Sequence, residues 1–94
     1  MEARAPGDWP PVSVIMSIRD EERHLTDAVD HVLDQDYPGE VEVVLAVGPS
    51  RDRTAEIAAD ITIRDTRVRV VDNPAGRTPN GLNAAIAAAR HGIV

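Results

Sequence analysis

The chain has 94 residues, 43 % of them apolar and 28 % charged, with a formal net charge of −6 and no cysteine. That length admits one compact domain rather than two, the composition is that of a globular chain, and the missing thiols exclude disulfides, thiol catalysis and cysteine-ligated zinc or iron–sulfur centres. The net negative charge argues against nucleic acid as a partner, and with neither a signal-like segment nor a run of roughly 18 apolar residues the expected location is cytoplasmic.

Pro6, Gly7, Pro10 and Pro11 break any regular element, so residues 1–11 read as a flexible N-terminal tail. The apolar, β-branched run VSVIMSI that follows predicts a buried strand over 12–18. Asp20, Glu21 and Glu22 suit the positive end of a helix, and Leu25, Ala28, Val29, Val32 and Leu33 repeat at its spacing until Pro38-Gly39 ends the element. EVEVVLAV predicts a second strand over about 41–47. Gly48-Pro49-Ser50 turns the chain, Ser50 or Asp52 can cap the next helix, and Ile57, Ala58 and Ile61 mark that helix's inner face.

VRVVD predicts a third strand over 68–72, followed by a turn at Asn73-Pro74-Ala75-Gly76. Thr78-Pro79 is an N-cap with proline at the first helical position; Leu82, Ala85, Ile86 and Ala89 repeat at helical spacing, and Gly92 is read as the stop. Ile93-Val94 reads as the first residues of a fourth strand. With one Trp, one Tyr and no Phe, the core is expected to be Val, Ile, Leu and Ala. The order β-α-β-α-β-α-β calls for an α/β fold, a Rossmann-like parallel sheet with helices on its faces. Ligands in such sheets bind beyond the carboxyl ends of the strands, where strand order reverses.

The first strand end, SIRDEE, presents Ser17, Arg19, Asp20 and Glu21 there. Its acids also serve ordinary capping, whereas an arginine so placed can stack on a base or pair with phosphate. The second, GPSRDRT, offers Gly48, which permits close ligand approach, and Ser50; backbone N–H groups at this helix entry are expected to be free for an anion. Its two arginines read as solvated surface. The third, GRTPNGLN, lacks the Lys-Ser or Lys-Thr of a Walker-type loop. Arg77 either holds a diphosphate at the helix start or is a plain surface arginine, and Asn83 faces either the pocket or solvent. His24 and His31 share a helix face at a spacing too wide for a close metal pair, and His91 complements helix-terminal carbonyls.

Taken together, VSVIMSIRDEE, EVEVVLAVGPSRDRTAEIA and VRVVDNPAGRTPNGLNAAIAAARHGIV resemble the N-terminal nucleotide-binding portion of a family-2 glycosyltransferase of the GT-A fold, over residues 12–94. The likeness is greatest to bacterial members that build cell-surface polysaccharide or glycolipid. In that family the first strand ends near an Asn-Glu pair beside the nucleotide base; Asp20-Glu21 stands there, with Ser17 and Arg19 at base-contacting positions. The aspartate that usually ends the second strand is replaced by Val47-Gly48. A Lys or Arg before the third helix often reaches the donor phosphates, and Arg77 matches it.

The resemblance implies transfer of a sugar from a nucleoside diphosphate to a polysaccharide or lipid-linked acceptor, assisted by Mg²⁺ or Mn²⁺ in the complete enzyme. The family's metal-binding Asp-x-Asp element and catalytic base are expected beyond Val94, so no metal is assigned to this stretch. Any membrane association is likewise expected of later regions. The alternative is a catalytically inactive truncated product, at most a nucleotide-binding or interaction module. A stand-alone receiver or flavin-type module ranks last, for want of the acidic cluster or hydroxyl-rich phosphate loop such modules carry.

Overall fold

A computed structural model describes residues 9–74, 83, 85–87 and 89–93. Its elements are β1 (Val12–Ile18), α1 (Leu25–Leu33), β2 (Val41–Val47), α2 (Thr54–Arg64), β3 (Val68–Asp72) and β4 (Gly92–Ile93). Residues 83 and 85–87 are helical between β3 and β4. The strands form one parallel sheet in the order β3-β2-β1-β4. Strand order therefore reverses between β1 and β4, the arrangement of an α/β Rossmann-like sheet.

β2 sits between β1 and β3 and is covered on both faces, which explains its unbroken apolar run. Val43, Leu45 and Val47 pack on one face with Leu25 and Val29 of α1 and Ala58 and Ile61 of α2. Val44 and Ala46 pack on the other with Ala85. Leu25, Val29, Val32 and Leu33 fall on one stripe of α1, and full burial of side chains such as Leu25 and Val29 is worth about 1.5–3 kcal/mol each.

Two local expectations are corrected. The α1 helix opens at Leu25, and residues 22–24 form a turn ahead of it, because the amides of Asp20 to Glu22 are drawn to side chains of the next loop. Gly92 does not stop the third helical segment; it opens β4, while Ala89 N–H still closes back on Ala85 O at 2.9 Å. Ile86 is 45 % exposed beside fully buried Ala85. A helix over the small side chains of β2 presents one narrow row, and a neighbour about 100° round the helix falls outside it.

A polar lock beneath this second face holds the end of the chain against β1. Glu42 of β2 is 2 % exposed, yet both its oxygens are saturated. Ser13 Oγ donates to Oε2 at 2.7 Å and Arg90 N–H at 3.1 Å; Arg69 Nη1 and Arg90 Nε donate to Oε1 at 3.1 and 3.0 Å. His91 N–H then donates to Ser13 Oγ at 3.2 Å, which brings Gly92 and Ile93 alongside Val12 and Ser13. Burial alone would raise the Glu42 pKa, but the Ser13 hydroxyl, the Arg90 amide and the two guanidiniums outweigh it and bring it down to about 2.

Entry to β1 is fixed as well. The Trp9 ring meets Tyr37 edge-on with centroids 5.8 Å apart, and the Tyr37 hydroxyl donates to the Pro10 carbonyl.

Candidate functional site

The carboxyl ends of β1, β2 and β3 finish level with one another. Gly48 N–H donates to Ile18 O and Asn73 N–H to Val47 O, both at 3.0 Å, so each ladder runs one residue past its strand. Above this shelf stand the β1–α1 loop, Arg19 to His24, and the β2–α2 loop, Gly48 to Arg53.

Every side chain from Arg19 to His24 is exposed, so no packing holds the first loop. Besides the turn closed by His24 and Leu25 N–H on Glu21 O, hydrogen bonds to the second loop and to the first residue of α2 hold it. Asp20 N–H donates to Ser50 Oγ at 3.1 Å, Glu21 N–H to Thr54 Oγ1 at 2.8 Å, and Glu22 N–H to Asp52 Oδ2 at 3.1 Å. In return Arg51 N–H donates to Asp20 Oδ1 at 2.8 Å. Asp20 takes the left-handed conformation with φ 53°, a region where Asp and Asn are tolerated better than most residues.

The two hydroxyls each work twice. Ser50 Oγ donates to Gly48 O at 3.1 Å while accepting from Asp20, and Thr54 Oγ1 donates to Asp52 Oδ1 while accepting from Glu21. Asp52 Oδ1 also accepts Thr54 N–H at 3.0 Å and closes the turn just ahead of α2, but the N-cap is Arg53, without a side-chain cap bond, so the expected cap at Ser50 or Asp52 is corrected. The Thr54 hydroxyl is the main influence holding the Asp52 carboxyl below its ordinary pKa, ahead of the opposing effect of burial. The expectation that amides of this turn stand free for an anion is corrected: those of Arg51 and Thr54 are taken by Asp20 and Asp52, which supply negative charge at the helix start from within the chain.

Of the residues singled out in the sequence, Ser17, Arg19, Asp20, Glu21, Gly48 and Ser50 are brought together at this end of the sheet. Arg77 lies outside the described residues. Ser17 and Glu21 border a hollow of about 220 Å³ closed by Met16, His24, Leu25 and Ala28. Arg19 Nε is 3.7 Å from Asp20 Oδ2, both side chains being largely exposed, so the pair is weak. Arg53 is engaged with Glu56 at 3.1 Å on the surface of α2.

A larger cleft of about 440 Å³, lined by Tyr37, Arg67 and Arg90 among others, lies at the opposite, amino end of the strands. Thr54 and Glu42 were missed in the sequence. The alternation Ser50-x-Asp52-x-Thr54 directly after a strand is the signal that points to the first; no local signal marks the second.

The family model for glycosyl transferase family 2 matches residues 13–94. The chain belongs to that family. It is 33 % identical over 81 residues to the protein named uncharacterized glycosyltransferase EpsJ of Bacillus subtilis (strain 168), covering 86 % of this chain and 23 % of that protein. It is also 33 % identical over 60 residues to glycosyltransferase GlyG of Streptococcus pneumoniae serotype 4 (strain ATCC BAA-334 / TIGR4), covering 64 % of this chain and 20 % of that one. The chain thus spans about a quarter or less of the length of these relatives.

A divalent cation goes with the chemistry of such transferases, but the described residues do not fit one: no three His, Asp or Glu side chains among them converge as ligands. No helix among the described residues is long and apolar enough to cross a membrane.

Proposed function

We propose that this chain is the donor-binding part of a sugar transferase. It receives the nucleoside of a nucleoside-diphosphate sugar at the carboxyl end of β1, and the complete protein passes the sugar to a cell-surface polysaccharide or glycolipid. The observation that carries this reading is the reversal of strand order beside β1, whose carboxyl end has Ser17 and Glu21 bordering a hollow, with Arg19 exposed on the loop between them.

The roles follow from the chemistry of each group. The Glu21 carboxylate and the Ser17 hydroxyl accept hydrogen bonds from a base edge or a ribose. The Arg19 guanidinium, planar and largely exposed, stacks on the base or pairs with a phosphate. Gly48 keeps the adjoining strand end free of a side chain, so a ligand can lie close to the backbone. Asp20 and Ser50 belong to the same site through the loop they hold, and Arg77 is assigned to the diphosphate. Mg²⁺ or Mn²⁺, the acceptor and the catalytic base belong to the complete enzyme.

Titration of the ¹⁵N-labelled chain with uridine diphosphate and, separately, guanosine diphosphate tests the reading. Amide shifts confined to Ser17, Arg19, Glu21 and their neighbours are expected with at least one of them. A folded chain that shows no response to either diphosphate at millimolar concentration would sink it.

A further inference from the structure

The cross-laced loops carry more than local stability. Three alternate side chains, Ser50 and Asp52 of one loop and Thr54 at the start of α2, accept the three successive amides of Asp20, Glu21 and Glu22 in the other loop. The Glu21 carbonyl accepts the His24 and Leu25 amides and closes the turn into α1, but residues 19–24 bury no side chain, so the bonds to Ser50, Asp52 and Thr54 and the return bond from Arg51 N–H to Asp20 are what tie the loop to its neighbour. The left-handed turn at Asp20 lies between Arg19 and Glu21, so a loop released from the lacing would carry both side chains elsewhere. With the Glu21 amide already taken, Glu21 meets a ligand through its side chain, whose placement follows the path of the loop.

We propose that Ser50, Asp52 and Thr54 are positioning residues, which hold the loop so that Arg19 and Glu21 stand ready beside Ser17 for the nucleoside. This inference rests on the reading of the β1 end as the nucleoside site. Thr54 is the central member: it is fully buried, and its hydroxyl joins the Glu21 amide to the Asp52 carboxylate.

The experiment compares the whole chain with Thr54→Val, Thr54→Ser and Ser50→Ala, using uridine diphosphate and guanosine diphosphate as probes. Amide hydrogen exchange is read at Glu21 and, as a reference in the core, at Leu45. Thr54→Val removes a hydroxyl at constant shape and is expected to weaken diphosphate binding roughly three- to tenfold. It should speed exchange at Glu21 well beyond any change at Leu45, and Thr54→Ser should restore both.

Binding by Thr54→Val as tight as wild type, or equal acceleration at Glu21 and Leu45, overturns the inference. If Thr54→Val does not fold, Ser50→Ala decides on the same two readouts, with the Asp20 amide in place of Glu21. A wild type that responds to neither diphosphate overturns the nucleoside reading itself and this inference with it. A responsive wild type with an indifferent variant overturns the inference alone.

Discussion

Ser13 and Glu42 are register partners across β1 and β2, and the Ser13 hydroxyl donates a 2.7 Å bond to the buried Glu42 carboxylate. The same carboxylate accepts two bonds from Arg90, so one side chain ties three neighbouring parts of the sheet together. Glu42→Gln keeps the volume but turns an NH₂ toward the donors of Ser13, Arg69 and Arg90. We expect a loss of about 2–3 kcal/mol on urea unfolding, held to that range because both arginines are partly exposed and can retreat into water. Ser13→Ala should cost about 1 kcal/mol, since Glu42 then keeps its arginines. Equal midpoints for Glu42→Gln and wild type would show that the lock does not hold the sheet.

The same group sets a pH dependence. The folded-state pKa of Glu42 is depressed from 4.5 to about 2, so between those values the unfolded chain binds a proton that the folded chain refuses. Its contribution, on the order of 3 kcal/mol, is complete above the unfolded value and is lost as pH falls through the folded one. Asp52, also depressed, acts in the same direction. Unfolding midpoints taken from neutral pH down to pH 2 should fall steeply below about 4.5 for wild type and less steeply for Glu42→Gln. Parallel curves would contradict the assignment.

The strands of this fold were legible because each central run is apolar and β-branched and is bounded by Pro, Gly or charged residues. The inner faces of α1 and α2 were legible from spacing alone. Glu42 was not, because EVEVV reads as simple alternation and its cationic partners, Arg69 and Arg90, lie 27 and 48 residues away. The lacing of Asp20, Ser50, Asp52 and Thr54 escaped for a related reason. Each of these residues has a sufficient local reading as a cap or turn former, and only the adjacency of β1 and β2 turns those readings into bonds between loops. A turn at Asp52 ahead of α2 was legible, but the use of its second oxygen for Glu22 was not.

Asp20 offers a separate test, because two effects meet in one residue. Its φ of 53° disfavours most side chains, and its carboxylate accepts Arg51 N–H at 2.8 Å. Asp20→Asn keeps an acceptor and tolerates the left-handed region, so it should unfold within about 0.5 kcal/mol of wild type. Asp20→Gly relieves the backbone but loses the bond, at about 1 kcal/mol. Asp20→Ala loses both and should cost about 2 kcal/mol. Chemical denaturation of the three variants gives the order directly; an alanine variant as stable as the glycine one would remove backbone conformation from the account.

Gly39 controls how the chain enters β1. A Cβ at this position would lie 2.7 Å from the Tyr37 ring edge, 2.9 Å from the Trp9 carbonyl oxygen and 3.0 Å from that of Pro10. The ring can turn away, but the carbonyls move only if the segment before β1 moves with them. Gly39→Ala should therefore cost about 1–3 kcal/mol. Tyr37→Phe, which removes the hydroxyl bond to Pro10 and keeps the ring against Trp9, should cost about 1 kcal/mol or less. The chain has a single tryptophan, so its fluorescence reports this corner alone. The alanine variant is expected to shift Trp9 emission to the red in the native state, before any unfolding, while Tyr37→Phe leaves the emission maximum close to wild type. If Gly39→Ala left both emission and unfolding midpoint unchanged, the packing of Trp9 and Pro10 over Gly39 could not be what anchors the start of β1.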